Sequence, residues 1–295
     1  HAKNLIRLLN QLDRLLTPYP PSRTLAPPRD WSGHPAHFVL GALRMSALIP
    51  PKKQIPDELI QFAKKASTAT VSGALSKRGF RFLYMAGVLP IRDGTVMAGR
   101  AYTLRYLPRR EDHNSENDRA AYAEHVAIES IGPGEVLVID ARGNTGAGVF
   151  GDRLVARMVY RGAEGMVTDG AMRDIPYLRG QEFPVFITAP HGYGHTMEHW
   201  AMDHQLPISC GNVLIYPGDL IIGDDDGVVV CPQAIAEEVI IESVAQEEEE
   251  EFTRELIEEG ANIVDVHGKL LGETLERYTK WREAKGLPPA IDKPY

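Results

Sequence analysis

Two short apolar runs on either side of a helix-like segment constrain the fold more than any other feature of this chain. The runs, Glu135–Asp140 and residues 165–169, each end on a carboxylate. The segment between them, residues 152–161, carries apolar side chains at helical spacing, with predicted inward positions Leu154, Val155, Met158 and Val159. Strand, helix and strand within about thirty residues favour a parallel crossover. The sequence therefore predicts an α/β fold built around parallel strands.

Three regions along the chain differ in pattern. Residues 1–55 combine leucines at helical spacing with a Pro-rich stretch, which predicts an N-terminal helical and Pro-rich extension. Residues 56–232 carry the alternating elements of a catalytic core. Residues 233–295 form a predicted C-terminal helical region that opens with a long acidic helix. Further strands are predicted at residues 95–107, 185–188, 213–215, 220–222 and 228–230, and further helices at 57–66, 71–76, 120–130 and 234–259.

Composition excludes several classes of protein. Hydrophobic residues make up 43% and charged residues 24% of the chain, as in ordinary folded soluble proteins. The net charge of −8 weighs against nucleic acid as the main ligand. No apolar run reaches the ~20 residues that span a bilayer, and no secretory signal pattern is present. Cys210 and Cys231 are the only cysteines and are predicted to be buried free thiols, so we expect a cytoplasmic protein without a membrane partner.

The adjacent pair Arg173 and Asp174 directly follows the second apolar run. A carboxylate is a suitable ligand for Mg²⁺ or Mn²⁺, which usually keep several waters beside one or two protein carboxylates. The guanidinium of Arg173 is a rigid, permanently charged fork suited to a carboxylate or to developing enolate charge. Gly170 and Ala171 before the pair permit close approach by a ligand. The pair is therefore a candidate metal and anion site, with solvated loop charges as the simpler alternative.

A glycine-rich stretch at residues 143–151 leads into the predicted helix. Its free backbone N–H groups, Gly151 included, could hold an anion or a substrate carboxylate. The stretch lacks the Lys-Ser/Thr of a phosphate-binding loop and the spacing of a dinucleotide fold. Asp152 in the first helical turn is either a helix-capping carboxylate or a group that orients a water on a metal.

Two other clusters are better explained by structure than by chemistry. Asp224, Asp225 and Asp226 precede a glycine between strands, which indicates a hairpin turn rather than a calcium loop. The four histidines of residues 190–204 have the spacing of zinc ligands on a helix, but a proline and two glycines argue against a helix there. A loop that lines the substrate pocket is the preferred interpretation of this segment. The histidines are His191, His195, His199 and His204.

Several motifs together resemble one known family over about residues 60–260. They match in order and spacing and are specific only in combination: GEVLVID at 134–140, GD at 151–152, RGAEGMVTDGAMRD at 161–174, FPVF at 183–186, ISCG at 208–211 and PGD at 217–219 followed by GVVV at 227–230. The sequence resembles the family of the regulator of ribonuclease E activity A, which includes the 4-hydroxy-4-methyl-2-oxoglutarate / 4-carboxy-4-hydroxy-2-oxoadipate aldolases.

The resemblance implies a fold, an assembly and an activity. The fold is a compact β/β/α arrangement of the swivelling-domain type, here with an N-terminal helical extension and a long C-terminal helix. The assembly is a homotrimer or a dimer of trimers. The activity is divalent-metal-dependent cleavage of a small 4-hydroxy-2-oxo acid to pyruvate through an enolate, with oxaloacetate decarboxylation as a side activity.

The resemblance also implies roles for individual residues. Asp174 corresponds to the aspartate that holds Mg²⁺ or Mn²⁺, and Arg173 to the arginine that contacts the substrate's 2-oxo oxygen. Asp152 matches the position that orders a metal-bound water for proton transfer. The amides of Arg153 and Leu154 correspond to those that hold the pyruvyl carboxylate. The family also uses an acidic residue from a neighbouring subunit, which no motif identifies here, although residues 248–251 are acidic.

Two alternative functions stay open at the level of sequence. One is a sugar-acid dehydratase that uses the same enolate-stabilising centre. The other is a non-catalytic regulator that binds a ribonuclease, a role that exists in the family. The combination of Arg173, Asp174 and Asp152 favours catalysis without excluding binding.

Overall fold

The computed structural model describes residues 54–110 and 123–289. The predicted extension of residues 1–55 lies almost wholly outside the described residues, as does the start of the helix predicted at 120–130. No described helix is both long enough and apolar enough to cross a membrane.

The described helices follow the predicted positions closely. The first turn of the second helix is capped by Ser67, whose Oγ accepts the Thr70 N–H at 3.1 Å. Gly162 ends the central helix in the left-handed conformation, at φ 82°. The helices are α1 Asp57–Ala63, α2 Thr68–Lys77, α3 Ala123–Ser130, α4 Asp152–Arg161, α5 Ile175–Arg179, α6 Ala236–Glu258, α7 Ile263–Val266 and α8 Gly272–Ala284, with a short 3-10 turn at His195–Met197.

The strands alternate with these helices along the chain. They are β1 Tyr84–Met85, β2 Leu89–Pro90, β3 Met97–Pro108, β4 Glu135–Asp140, β5 Gly165–Thr168, β6 Ala171–Met172, β7 Val185–Ile187, β8 Ala189–Pro190, β9 His199–His204, β10 Ile208–Cys210, β11 Val213–Ile215, β12 Leu220–Asp224 and β13 Gly227–Cys231.

Nine of the described strands form one mixed sheet. Its order is β1-β13-β12-β3-β4-β5-β7-β2, and β9 also pairs with β3. The central strands β3, β4, β5 and β7 are parallel to one another, and the outer pairings are antiparallel. The crossover from β4 through α4 to β5 is therefore parallel, as predicted. The predicted α/β fold class is confirmed.

Both faces of the central strands are buried, which explains why their sequences are continuously apolar. On β4, Leu137 and Ile139 pack into one hydrophobic cluster with side chains of α3 and α4. The alternate residues Val136 and Val138 pack into a second cluster that includes β10 and β11. Fully burying one such side chain stabilises the fold by about 1.5–3 kcal/mol. The parallel strands are thus held rigidly, and their carboxyl ends share one edge of the sheet.

The long helix α6 packs against the core through its first half. Val239, Ile240 and Val244 join the cluster of α1 and α2, and the second half packs with α8 around Phe252 and Tyr278. The predicted long C-terminal helix is confirmed. The predicted region boundaries at 55/56 and 232/233 stay predictions.

Several local predictions were wrong. The strands predicted at 95–107 are one strand, β3. Val159 was predicted to face inward but is 49% exposed, because Val155 and Met158 already fill the inward face of α4. The segment predicted as a loop at 190–204 contains strand β9, which extends the sheet along β3.

Two structural interpretations are confirmed. Cys210 and Cys231 are free and buried. The three consecutive aspartates form a hairpin turn, in which Asp224 pairs with Gly227 across β12 and β13. Asp224 also accepts hydrogen bonds from the Thr68 N–H and hydroxyl at 2.7 and 2.6 Å, and so fixes the start of α2.

Candidate active site

The carboxylates that end β4 and β5 are structural. Asp169 is buried, and its two oxygens accept the backbone N–H groups of Ala141 at 2.7 Å, Gly143 at 3.0 Å and Gly211 at 3.4 Å. Asp140 similarly accepts the N–H groups of Arg142 and Ser209. Burial raises the pKa of both carboxyls above their usual range, against the opposing effect of these hydrogen bonds. Asp169, the first residue of the segment 169–174, therefore anchors loops rather than facing a ligand.

Replacing Asp169 with asparagine is expected to lower the free energy of unfolding by about 1–3 kcal/mol. Both oxygens accept backbone N–H groups, so the amide nitrogen would face a donor in either flip. Removing a buried charge acts in the opposite direction, because burial raises the pKa of Asp169 despite its three hydrogen bonds, and this limits the expected net loss. Urea denaturation measures the change, with exposed Asp93→Asn as the control. Equal stability of the two variants would contradict this anchoring role.

Backbone hydrogen bonds hold the glycine-rich loop beside the Arg-Asp pair. The Val149 N–H donates to the Ala171 carbonyl at 2.8 Å, and the Arg173 N–H donates to the Phe150 carbonyl at 3.1 Å. Gly148 forms isolated bridges to both Ala171 and Gly194. Two segments that lie more than twenty residues apart in sequence are thereby aligned, and the segment before His195 lies alongside them.

Asp174 occupies an unusual backbone position at the start of α5. Its φ of 62° is left-handed, a conformation that aspartate tolerates better than most residues. Asp174 Oδ2 accepts the Asp152 N–H at 3.2 Å and lies 3.2 Å from Arg173 Nε. The side chains of Arg173 and Asp174 are 43% and 32% exposed, so their charged groups remain accessible.

Gly151 makes the close approach of these groups possible. A Cβ added to Gly151 would lie 2.4 Å from Asp174 Oδ2 and 3.2 Å from Arg173 Nε. The backbone of Gly151 is extended, with φ −137°, so the requirement for glycine here is steric rather than conformational. The absent side chain lets the Asp174 carboxylate and the Arg173 side chain pack closely against the Gly151 backbone.

The predicted site residues meet in one cavity of about 380 Å³. Arg173, Asp174 and residues 151–154 all line it, so every residue predicted for catalysis, substrate binding or metal binding lies in its wall. Gly194 and His195 form another part of the lining, as do Glu124 and His125 from the first turn of α3. The arrangement places a carboxylate, a guanidinium and a helix N-terminus around a single small-molecule-sized space.

Glu124 is a functional candidate that the sequence did not reveal. Its side chain is only 3% exposed, and Oε2 accepts the Tyr106 hydroxyl at 2.6 Å. The Nε2 atoms of His125 and His195 each lie 3.5 Å from the other oxygen, Oε1. A glutamate in a first helical turn normally indicates a solvated residue, so no sequence signal marked it as buried. Only the fold brings Tyr106 of β3 and His195 of the segment 190–204 next to Glu124.

Burial is the largest influence on the pKa values of His195 and Tyr106. Desolvation lowers the pKa of His195 below its ordinary value, although the Glu124 carboxylate acts in the opposite direction. Burial and the neighbouring Glu124 raise the pKa of Tyr106 well above its ordinary value. Burial therefore favours the neutral imidazole form of His195, the form that can accept a proton.

The four histidines of the 190–204 segment do not form one site. His199 Nδ1 lies 3.1 Å from an Arg142 nitrogen, and His204 Nδ1 lies 2.9 Å from the Tyr102 hydroxyl. His191 Nδ1 accepts the Tyr193 N–H at 3.2 Å. In residues 54–110 and 123–289, no group of three or more His, Cys, Asp or Glu side chains could hold a metal ion. Of these four histidines, only His195 lines the cavity.

Comparison with known proteins places the chain in context. Residues 68–230 match the RraA-like family, described as Aldolase/RraA. A protein of Halalkalibacterium halodurans, named as a candidate 4-hydroxy-4-methyl-2-oxoglutarate aldolase, is 35% identical over 61% of this chain and 80% of its own length. Protein DlpA of Legionella pneumophila is 31% identical over 70% of this chain. The chain spans about a third of the length of DlpA, 32%.

Solved structures show the same fold. RraAS2 of Streptomyces coelicolor, described as an unusual member of the RNase ES inhibitor RraA protein family, superposes with a TM-score of 0.62 at 34% identity, over 69% of this chain and 99% of its own. An uncharacterized protein of Pseudomonas syringae superposes with a TM-score of 0.64 at 25% identity, over 73% and 100% of the two chains.

Proposed function

The chain belongs to the RraA-like family, and on that premise we propose that it is a divalent-metal-dependent lyase that cleaves a small 4-hydroxy-2-oxo acid to pyruvate by a retro-aldol reaction. Relatives named as 4-hydroxy-4-methyl-2-oxoglutarate aldolases support an aldolase-type lyase activity. The observation that carries the finer proposal is the convergence of Arg173, Asp174 and Asp152 on one cavity. Oxaloacetate decarboxylation is the expected side activity, because it produces the same enolate.

The donor set around Asp174 fits Mg²⁺ or Mn²⁺. These cations prefer oxygen ligands and bind through one or two carboxylates while keeping several waters. Asp174 offers one accessible carboxylate, whose side chain is 32% exposed and lines the cavity. When bound, the cation supplies positive charge that stabilises the negative charge developing on the substrate's 2-oxo oxygen.

Arg173 is proposed to bind the same 2-oxo oxygen. Its guanidinium is held in place by Asp174, since Nε lies 3.2 Å from Asp174 Oδ2. The charge of the substrate oxygen is larger in the transition state than in the ground state, so a fixed cation there accelerates cleavage. Because the Arg173 N–H donates a hydrogen bond to the Phe150 carbonyl, the backbone that carries the Arg173 side chain is fixed.

The first turn of α4 is proposed to bind the pyruvyl carboxylate. Gly151, Arg153 and Leu154 line the cavity at the positive end of the helix dipole. In the structure the Arg153 N–H donates to Asp152 Oδ1 at 2.7 Å. Asp152 must therefore rotate for the Arg153 amide to bind substrate, and that rotation would free its carboxylate for proton transfer.

Assembly and location complete the proposal. A homotrimer or a dimer of trimers in the cytoplasm is consistent with the family and with two buried free thiols. The acidic residues 248–251, considered as a contribution to a neighbouring subunit, are used at least in part within this chain. Glu248 pairs with Arg282 and Glu251 with Lys285, both at 2.6 Å.

Pyruvate release tests the proposed function. The purified protein is incubated with 4-hydroxy-4-methyl-2-oxoglutarate, 4-carboxy-4-hydroxy-2-oxoadipate or oxaloacetate, with Mg²⁺ or Mn²⁺ and then with excess EDTA. We expect pyruvate from at least one hydroxy acid and a loss of at least about 10²-fold on chelation, because the charge on the oxo oxygen would lose its main stabilisation. Restored activity after adding back the cation controls for damage by EDTA.

The same experiment separates the alternatives. Release of pyruvate that is unaffected by EDTA would contradict metal dependence. Water loss from 2-oxo-3-deoxy sugar acids without carbon–carbon cleavage, identified by mass spectrometry, would indicate a dehydratase. If no substrate reacts and calorimetry detects no cation binding, the chain is a non-catalytic member of its family.

A further inference from the structure

We propose that His195, oriented by Glu124, is the base that removes the proton of the substrate's 4-hydroxyl group, and that this pair makes the site an aldolase rather than only a decarboxylase. The inference rests on the proposed function and assigns a step of it to residues outside the Arg173-Asp174 centre. It is drawn from the positions of the two side chains in the cavity wall.

The position of His195 satisfies the first requirement, access to the same space as the reaction centre. His195 lines the cavity together with Arg173 and Asp174, and its side chain is 24% exposed. Gly194, directly before it, is aligned with Gly148 by a β-bridge, and a Cβ on Gly194 would lie 3.3 Å from Arg173 Nη1. The backbone before His195 therefore lies near the guanidinium proposed to bind the 2-oxo oxygen of the substrate.

Glu124 satisfies the second requirement, control over which ring nitrogen carries the proton. Oε1 lies 3.5 Å from His195 Nε2, while Oε2 is occupied by the Tyr106 hydroxyl at 2.6 Å. A carboxylate acceptor beside Nε2 favours the tautomer protonated on Nε2 and leaves Nδ1 as the base. The 3.5 Å separation is long, as catalytic contacts often are before substrate binds.

The surroundings of His195 satisfy the third requirement, a neutral ring at the working pH. The groups that face it are the carboxylate of Glu124, the cations Arg109 and Arg173, and the rings of His125, His199 and Tyr106. Burial is the largest influence and lowers the pKa of His195, and the two arginines and His125 act in the same direction. Glu124 opposes them. Near neutral pH the ring is thus an acceptor.

Other groups in the described cavity wall suit this step less well. Glu124 is buried, and its Oε2 already accepts the Tyr106 hydroxyl. Asp174 and Arg173 are proposed to hold the cation and to bind the 2-oxo oxygen, so both act at the other end of the substrate. Asp152 lies at the start of α4, the end of the cavity proposed to bind the pyruvyl carboxylate, and its Oδ1 accepts the Arg153 N–H, so its proposed proton transfer is placed at the pyruvyl end and not at the 4-hydroxyl. His125 lines the cavity too, but its side chain is 45% exposed and faces the same Glu124 oxygen.

The step balances as follows. His195 Nδ1 takes the proton of the C4 hydroxyl, and the electron pair of that O–H bond forms the C4=O double bond of the departing carbonyl compound. The C3–C4 bond breaks, and its pair forms the C2=C3 bond of pyruvate enolate, with the negative charge on the C2 oxygen. Water then protonates C3 of the enolate to give pyruvate, and the hydroxide left behind takes the proton from His195. Oxaloacetate lacks a C4 hydroxyl, so its decarboxylation does not need this base.

The difference between the two reactions provides the test. Cleavage of a 4-hydroxy-2-oxo acid and decarboxylation of oxaloacetate are measured for the wild type, His195→Gln and Glu124→Gln. We expect both variants to lose about 10²- to 10³-fold in kcat for cleavage, the usual contribution of a general base, while decarboxylation stays within about threefold of wild type. Exposed His267→Gln serves as the matched control and should change neither rate.

Three further readouts exclude a merely structural role. The smaller variant His195→Ala should regain cleavage when imidazole is added, whereas decarboxylation should not respond. The cleavage rate of the wild type should fall at acidic pH as His195 is protonated, and this acidic fall in rate should be absent in His195→Gln.

An NMR titration without substrate should show the His195 resonance, identified by its loss in His195→Gln. Its pKa should lie below 6.5 and should fall further in Glu124→Gln.

Parallel losses of cleavage and decarboxylation, or no loss of either, would overturn the proposed base while leaving the lyase intact. A His195 pKa that does not respond to Glu124→Gln would overturn the pairing. A wild type that cleaves no hydroxy acid would overturn the proposed function itself, so the two failures are distinguishable.

Discussion

Replacing Asp174 with alanine is expected to reduce kcat/KM for pyruvate release by about 10³-fold or more and to abolish cation binding. The change removes the accessible carboxylate proposed to hold the cation. It also removes the acceptor of the Asp152 N–H and the partner of Arg173 Nε, so the guanidinium loses its fixed position. Steady-state kinetics and calorimetry with Mn²⁺ measure the two effects.

Asp93→Ala is the control for the Asp174 variant, because Asp93 is exposed and outside the cavity lining. The more conservative Asp174→Asn keeps the side-chain shape and an oxygen acceptor but removes the charge. It should therefore retain the fold and still lose cation binding. Undiminished pyruvate release by Asp174→Ala, with unchanged sensitivity to EDTA, would show that the cation is held elsewhere.

Replacing Gly151 with alanine is expected to reduce kcat/KM by about 10²-fold or more without unfolding the protein. The new Cβ would lie 2.4 Å from Asp174 Oδ2, so the carboxylate must shift by about 1 Å or more, and a displacement of that size can cost 10²-fold in rate. Because φ at Gly151 is −137°, alanine introduces no backbone strain. Thermal unfolding should separate this loss of function from a loss of stability.

Gly73→Ala is the matched control for the Gly151 variant. Gly73 is exposed on α2, has no atom within 4 Å of an added Cβ, and should gain about 0.5–1 kcal/mol of stability from the substitution. Its activity should equal that of the wild type. If Gly151→Ala were equally active, activity would tolerate displacement of Asp174, and the proposed steric role of Gly151 would be wrong.

The sequence was sufficient for the elements that build the centre of the site. Continuous apolar runs indicated buried parallel strands, and parallel strands bring their carboxyl ends to one edge. Local spacing placed the candidate pair Arg173 and Asp174 after the second apolar run, and the family resemblance associated the pair with Asp152. In the structure these residues line one cavity.

The sequence was not sufficient for the opposite wall of the cavity. Glu124, His195 and Tyr106 come from a helix, a 3-10 turn and a strand, which pairing of β9 with β3 and packing of α3 bring together. In isolation, Glu124 has the pattern of a solvated helix residue and His195 that of a loop residue. Their burial depends on contacts across 71 residues of chain, which no local periodicity encodes.

The boundary between what was determined by sequence and what was decided by tertiary structure follows from the range of the interactions. Short-range patterns of hydrophobicity, glycine and charge determined the parallel crossover, the Arg-Asp pair and the glycine-rich loop. Tertiary structure decided that Asp169 and Asp140 anchor loops, that Asp174 adopts a left-handed backbone, and that Gly151 must lack a side chain. Those outcomes depend on which atoms approach within a few ångströms, and only the packed chain sets these distances.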